Sequence, residues 1–161
     1  MKVNDIEITY QRILCPVDFS ETSRKAFYRA VGYSRLFKAE LVVLHISERN
    51  LVMAGYEEVA DEAEDTARLE AGLVRRLDEL QEDGKIQQDE RDRITLEISG
   101  GKPWLKIVQH ATDHDVDLII MGTHGRNRLA SMLIGSNAER VVRRASCNVL
   151  CVRPDGYQPQ L

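Results

Sequence analysis

The sequence lacks the devices that hold small secreted or metal-dependent folds together. It carries only three cysteines, Cys15, Cys147 and Cys151, an odd number at spacings that match neither a disulfide framework nor a zinc site. Cys147 and Cys151 stand four apart in an expected strand, which points both to one side at a separation of roughly 13 Å, too far to bridge. All three read as small apolar side chains kept reduced. No apolar run approaches the roughly 18 residues of a membrane span, and the leading stretch MKVNDIEITYQR has no apolar core of the signal-peptide kind. No membrane partner and a cytoplasmic location are therefore expected. A positive excess is also missing. Lysine and arginine number 22 against 26 aspartates and glutamates, a formal charge of −4, which gives no electrostatic reason to expect nucleic acid. The short basic run Arg140, Arg143, Arg144 reads as the solvated face and end of the last helix. Neither G-x-x-x-x-G-K-[ST] nor G-x-G-x-x-G occurs, which argues against a P-loop and a Rossmann dinucleotide site. With no Walker lysine and no HRD or DFG set, no catalytic residue and no protein metal ligand is assigned.

What is present is an alternation of buried strands and amphipathic helices in a chain of 161 residues, 43% of them apolar. That length suits a single domain, 1–161, with a core over about 10–154 and short loose tails. Arg12 to Val17 (RILCPV) reads as a central strand, after which Ser20 caps a helix whose Ala26, Phe27, Ala30, Val31 and Ser34 recur at helical spacing. Leu41 to Ile46 (LVVLHI) is a second buried strand, so strand, helix and strand form a right-handed parallel unit. Residues 57–83 form an amphipathic helix whose expected inner stripe is Ala60, Ala63, Ala67, Ala71, Val74, Leu77 and Leu80. That stripe serves either the sheet or a partner helix. The segment QQDERDR reads as a charged linker before the strand Ile94 to Ile98. Pro103 then opens a helix that buries Trp104, Ile107, Val108 and Ala111. A strand over Val116 to Met121, a helix from Asn137 to Ala145 and a last strand over Val149 to Val152 complete an open five-stranded α/β sandwich with helices on both faces.

The stretch that organises the rest is DLIIMGTHGRNRLASMLIGSNAE, from Asp117 to Glu139. A buried strand stops at Gly122, the next glycine is Gly125, nine residues intervene, and then come Gly135 and Ser136, with Asn137 expected to cap a helix starting at Ala138. A glycine pair after a strand is in itself only a βα turn. The second pair sets a permissive turn, a hydroxyl and unpaired amides at the next helix start, a combination that can hold phosphate from two sides.

Gly122, Gly125, Gly135 and Ser136 match, residue by residue, the G-2x-G-9x-G-[ST] signature of universal stress proteins in their ATP-binding subclass. CPVDFS, AELVVLHIS, MGTHGR and CNVLCVRP resemble that family's other blocks, in order; only about Leu51 to Arg93 has no characteristic block. The resemblance implies a strand order of 3-2-1-4-5, which sets the ends of the first and fourth strands side by side at the switch point, where open α/β sheets bind ligands.

The resemblance also implies a cofactor, ATP, with Mg²⁺ held mainly by the phosphates. Pro16, Val17 and Asp18 look like the wall beside adenine and ribose, although the first two equally suit an apolar strand end. Asp18 serves as a helix-side cap or reaches a ribose hydroxyl or the Mg²⁺. Leu41 occupies the place of an apolar adenine contact or of plain core. Met121 is core with an edge toward adenine. Gly122 and Gly125 would allow close backbone approach near ribose and phosphates, and Gly135, Ser136 and Asn137 would contact the phosphates. His124 lies near the ligand, and His45 reads as a satisfied sheet histidine. Arg126 and Arg128 either neutralise phosphate or face solvent. The implied function is an ATP-binding stress-response or regulatory switch with at most slow hydrolysis. The contrasting reading is a dimeric interaction module of the same fold that binds no nucleotide and meets an unidentified protein through its charged helix. By the same resemblance, the edge strand 148–153 pairs with its twofold mate in a homodimer.

Overall fold

The computed structural model describes residues 8–47, 59–124 and 134–156, with side chains described from residue 67 onward in the second helix. The elements in chain order are β1 (Arg12–Val17), α1 (Glu21–Phe37), β2 (Glu40–Ser47), α2 (Val59–Glu82), α3 (Gln88–Arg91), β3 (Ile94–Gly100), α4 (Pro103–Asp113), β4 (Leu118–Gly122), α5 (Ser136–Arg144) and β5 (Asn148–Val152). All strands are parallel, in the order β3-β2-β1-β4-β5.

The strands are apolar on both faces because helices cover both. Side-chain alternation sends Ile13, Cys15, Val17, Leu41, Val43, Leu118 and Ile120 into one core with α1 and α2. Leu14, Leu44, Ile46, Ile119 and Met121 enter the other, with Ile107 and Ala111 of α4 and Ala138 and Val141 of α5. The helix α1 forms as its sequence predicts. The Ser20 hydroxyl accepts the Ser23 amide at 3.1 Å, Glu21 lies in the positive first turn, and Lys38 ends the helix in the left-handed conformation. On the opposite face, Trp104 of α4 lies beneath the guanidinium groups of Arg140 and Arg144 of α5, 5.9 and 5.0 Å from its ring centre. Two members of the basic run thus secure helix packing as well as facing solvent.

Two expectations about the middle of the chain are corrected. The inner face of α2 is leucine rather than alanine: Ala67 and Ala71 are exposed, whereas Leu73, Leu77 and Leu80 are buried against the sheet. Each buried leucine contributes about 1.5–3 kcal/mol and an alanine far less, so the helix turns its larger side chains inward. Ala60 and Ala63 lie outside the described side chains. The supposed charged linker contains the short helix α3. Glu90 accepts the Gln87 amide at 2.7 Å and pairs through both carboxylate oxygens with Arg35 of α1, while Ile86 seals the turn beneath. Charge here builds a half-buried contact between helices.

The strand pairing also shapes the mouth of the sheet. β1 pairs with β2 from Arg12↔Glu40 to Val17↔His45, but with β4 only at Ile13↔Leu118 and Leu14↔Ile119. Beyond Leu14 the two central strands part, and Pro16, which has no amide to donate, falls in the parted segment. The opening lies at the switch point of the topology.

Candidate functional site at the mouth of the sheet

The residues of the glycine motif meet through one backbone contact. The Gly135 amide donates to the Thr123 carbonyl at 2.6 Å, closing the loop between β4 and α5, while the Thr123 amide donates to the Val152 carbonyl at 2.9 Å. A Cβ on Gly135 would lie 2.9 Å from the Thr123 oxygen, so only glycine allows this approach. Gly135, extended at φ −71° and ψ 153°, is the N-cap of α5, and its carbonyl accepts the Glu139 amide at 2.9 Å. The helix therefore begins at Ser136, and Asn137 stands within its first turn instead of capping it. The physical reason is that the tie to Thr123 already sets Gly135 in cap geometry. The leading amides of α5 have no partner within the helix, and of the residues that carry them Ser136 is exposed and Asn137 half-buried. His124 borders the same closure, its Nδ1 2.9 Å from the Oγ1 of buried Thr123.

On the other side of the opening, Pro16 and Val17 are buried at the end of β1. Asp18 leaves the strand, and its Oδ1 accepts the Ser20 amide at 3.0 Å, while its own amide donates to the Ser23 hydroxyl at 3.4 Å. Of the two readings of Asp18, the helix-side cap is the one seen in these contacts. Gly122 has a reason other than ligand approach. Its Cβ would meet the Cγ2 of Thr22 at 3.0 Å and the Ser23 amide nitrogen at 3.2 Å, so the missing side chain lets the first turn of α1 pack on the end of β4.

Pro16, Val17, Asp18, Met121, Gly122, His124, Gly135, Ser136 and Asn137 thus gather where β1 and β4 part. Leu41 does not. It is fully buried at the opposite end of the sheet, paired with Ile13 and Ile94, four residues and about 13 Å before the level of Val17. Core filling is its role, and the assignment beside a ligand is corrected. Gly125, Arg126 and Arg128 lie outside the described residues.

Two residues not singled out in the sequence, Ile46 and Phe19, also reach the mouth. Ile46 projects to the same face as Met121, and alternation along β1 brings Pro16 to that face too. His45 is buried, its Nδ1–H donating to the Val17 carbonyl at 2.8 Å, and its ring meets that of Phe19 at 5.0 Å. The signal for Ile46 was strand alternation counted from the C-terminal end, where ligands bind. Phe19 gave no periodic signal because it lies outside any element. Burial pushes the thiols of Cys15, Cys147 and Cys151 above their ordinary range, consistent with packing roles. Among the described residues, no helix is long and apolar enough to cross a membrane.

An open five-stranded α/β sheet of this strand order, with a glycine-closed loop and a helix start at its switch point, belongs to the class of α/β folds in which ligands generally bind at that point. The sequence profile of the Universal stress protein family matches residues 9–153, and the chain belongs to that family. It is 32% identical over 160 residues to Universal stress protein MJ0577 of Methanocaldococcus jannaschii, covering 92% of this chain and 98% of the relative. Among solved structures, universal stress protein UspA from Lactobacillus plantarum superposes with a TM-score of 0.67 at 29% identity, covering 91% of this chain and all of the other. The structure of MJ0577 superposes with a TM-score of 0.64 over 93% of this chain.

Proposed function

We propose that the protein is an ATP-binding regulatory switch of the stress-response kind, resident in the cytoplasm. The observation that carries the reading is the Gly135–Thr123 closure, a backbone contact that leaves no room for a Cβ at position 135 and sets the start of α5 beside the end of β4. In this reading the amides of Ser136 and Asn137 and the Ser136 hydroxyl hold phosphate oxygens, where the helix start favours negative charge. Gly125, His124 and Arg126 follow the phosphates, and Pro16, Val17, Asp18 and Met121 line the nucleoside. Mg²⁺ would be carried mainly by the phosphates and would neutralise their charge. Asp18, engaged with Ser20, holds the start of α1 in position beside it. Efficient phosphoryl transfer needs a group that orients the attacking oxygen, and neither His45, bonded to Val17, nor Asp18 is disposed to do so, so bound ATP serves as a signal.

Calorimetric titration with ATP, with and without Mg²⁺, tests the reading, together with identification of any small molecule released on denaturing the purified protein. Saturating ATP without heat or thermal shift would overturn it. Cyclic AMP, the ligand in a universal stress protein structure that shares this fold at 22% identity, is a suitable competitor. The homodimer belongs to the same proposal: β5 is a sheet edge of NVLCV, and pairing with its twofold mate would satisfy its outer backbone groups. Light scattering at micromolar concentration should give twice the 18.3 kDa chain mass, and one chain mass would exclude the dimer. The reading without nucleotide is favoured by Ala67 and Ala71, apolar positions that α2 leaves exposed for a protein partner.

A further inference from the structure

Helix α5 carries more positive charge than its packing needs. Arg140 and Arg144 stand one helical turn apart, with their Cβ atoms about 5–6 Å from each other, and like charges at this spacing repel. Both guanidinium groups nevertheless gather on one ring, 5.9 and 5.0 Å from the centre of Trp104, which is half-buried against the core beneath α4 and α5. One cation would suffice to cover that ring, and the second adds repulsion. Neither arginine has an acidic partner among the described residues, since Glu139, the only carboxylate in the sequence of α5, is held by Arg143 at 2.9 Å. A cation–π contact uses none of the N–H donors of a guanidinium, so both exposed residues keep their donors for another group.

The surroundings decide what that group is. Along α4, its N-cap and α5, the cations Lys102, Lys106, Arg140, Arg143 and Arg144 are opposed only by Asp113 and Glu139, in a chain whose formal charge is −4. Such a cationic island on an acidic protein suits an anion short enough to stay within it, whereas a long polyanion would also meet the acidic remainder. A guanidinium takes a carboxylate through two parallel hydrogen bonds, and two guanidinium groups one turn apart match two carboxylates of a single peptide. We infer that Arg140 and Arg144, braced on Trp104, form a docking surface for a short acidic segment of a protein partner, paired guanidinium to carboxylate. The two residues lie one and two turns along α5 from Ser136, so the surface is separate from the closure at Gly135 and does not rest on the nucleotide reading.

Trp104 is the sole tryptophan of the chain, so its fluorescence reports on the arginine pair directly. Nucleotide-free protein is titrated with hexaglutamate, with an oligothymidylate of similar charge and with inorganic phosphate, at one salt concentration, and calorimetry reads the affinities of the variants. The wild type should show a saturable fluorescence change with hexaglutamate and bind it more tightly than the other two anions. Arg140→Gln and Arg144→Gln should each weaken hexaglutamate by about tenfold, the loss expected of a charge-assisted hydrogen bond. Arg143→Gln, whose side chain is taken by Glu139, should stay within about twofold. Arg140→Lys and Arg144→Lys keep the charge and the apolar stem over the ring, so the helix packing is retained, yet an ammonium lacks the paired donors and should also cost about tenfold. Absence of saturable hexaglutamate binding by the wild type overturns the inference, as does unchanged affinity in the glutamine variants, which would seat the peptide elsewhere. Lysine variants that bind like the wild type would reduce the contact to net charge and overturn the paired geometry. Oligothymidylate or phosphate bound as tightly as the peptide would make this a general anion site and overturn the acidic segment as its occupant. None of these results bears on ATP at the Gly135 closure, which the nucleotide titration reads separately.

Discussion

Gly135 and Thr123 are joined backbone to backbone at 2.6 Å, in a contact too close to admit any side chain at position 135. Through it the end of β4 and the start of α5 become one rigid corner at the mouth of the sheet.

Gly135→Ala should therefore destabilise the protein by about 1–3 kcal/mol, as overpacking does, and reduce ATP affinity by at least about tenfold. Gly32→Ala is the control, since a Cβ there meets nothing within 4 Å and the position lies within α1. It should stabilise by about 0.5–1 kcal/mol and leave binding alone. Urea denaturation and calorimetry read the two effects, and equal behaviour of the two variants would refute the role of the corner.

The corrected face of α2 predicts a contrast of its own. Leu77→Ala should cost about 2–5 kcal/mol because the side chain is fully buried in the core beneath the helix. Ala71→Ser, on the exposed side, should stay within about 0.5 kcal/mol. If Ala71→Ser were the more damaging change, the alanine stripe would be the inner face after all.

Acid should weaken the clasp between α1 and α3. The hydrogen bonds from Arg35 hold the Glu90 carboxyl below its usual range, against the opposing effect of burial. A carboxylate with a depressed folded pKa contributes stability that is fully present above its unfolded value of about 4.3 and is lost as pH falls through the folded one. Glu90→Gln should cost about 1 kcal/mol at neutral pH, near the low end for a charged hydrogen bond because Arg35 is half-exposed. The gap between wild-type and variant urea midpoints should close below about pH 4. A gap independent of pH would assign the effect to packing.

Turnover distinguishes a switch from an enzyme. Phosphate release by protein freed of contaminating ATPases should stay far below the range of about 1–100 s⁻¹ typical of kinases. Asp18→Asn should leave that slow rate unchanged while loosening the start of α1. Turnover above about 1 s⁻¹ that vanishes in this variant, with ATP affinity kept, would make Asp18 a catalytic group.

The elements themselves were legible in the sequence because their signals are local. Strand runs apolar on both faces, the Ser20 cap, Pro103 at a helix start and glycines at the loop ends depend on neighbours within a few residues, and each appears where those patterns place it. The strand order was not contained in periodicity and came from family resemblance. What tertiary structure alone decided depends on residues far apart in the chain that parallel register brings level. Leu41 belongs to the buried end because it pairs with Ile13, and Gly122 is glycine because Thr22 lies against it. Glu90 is buried because Arg35, on another helix, reaches it. Leucine rather than alanine faces inward on α2 because only the sheet beneath can reward the larger side chain. Phe19 meets His45 only because β2 lies level with the end of β1, since a loop residue's surroundings are set by the strands that converge on it and by nothing in its own stretch of sequence.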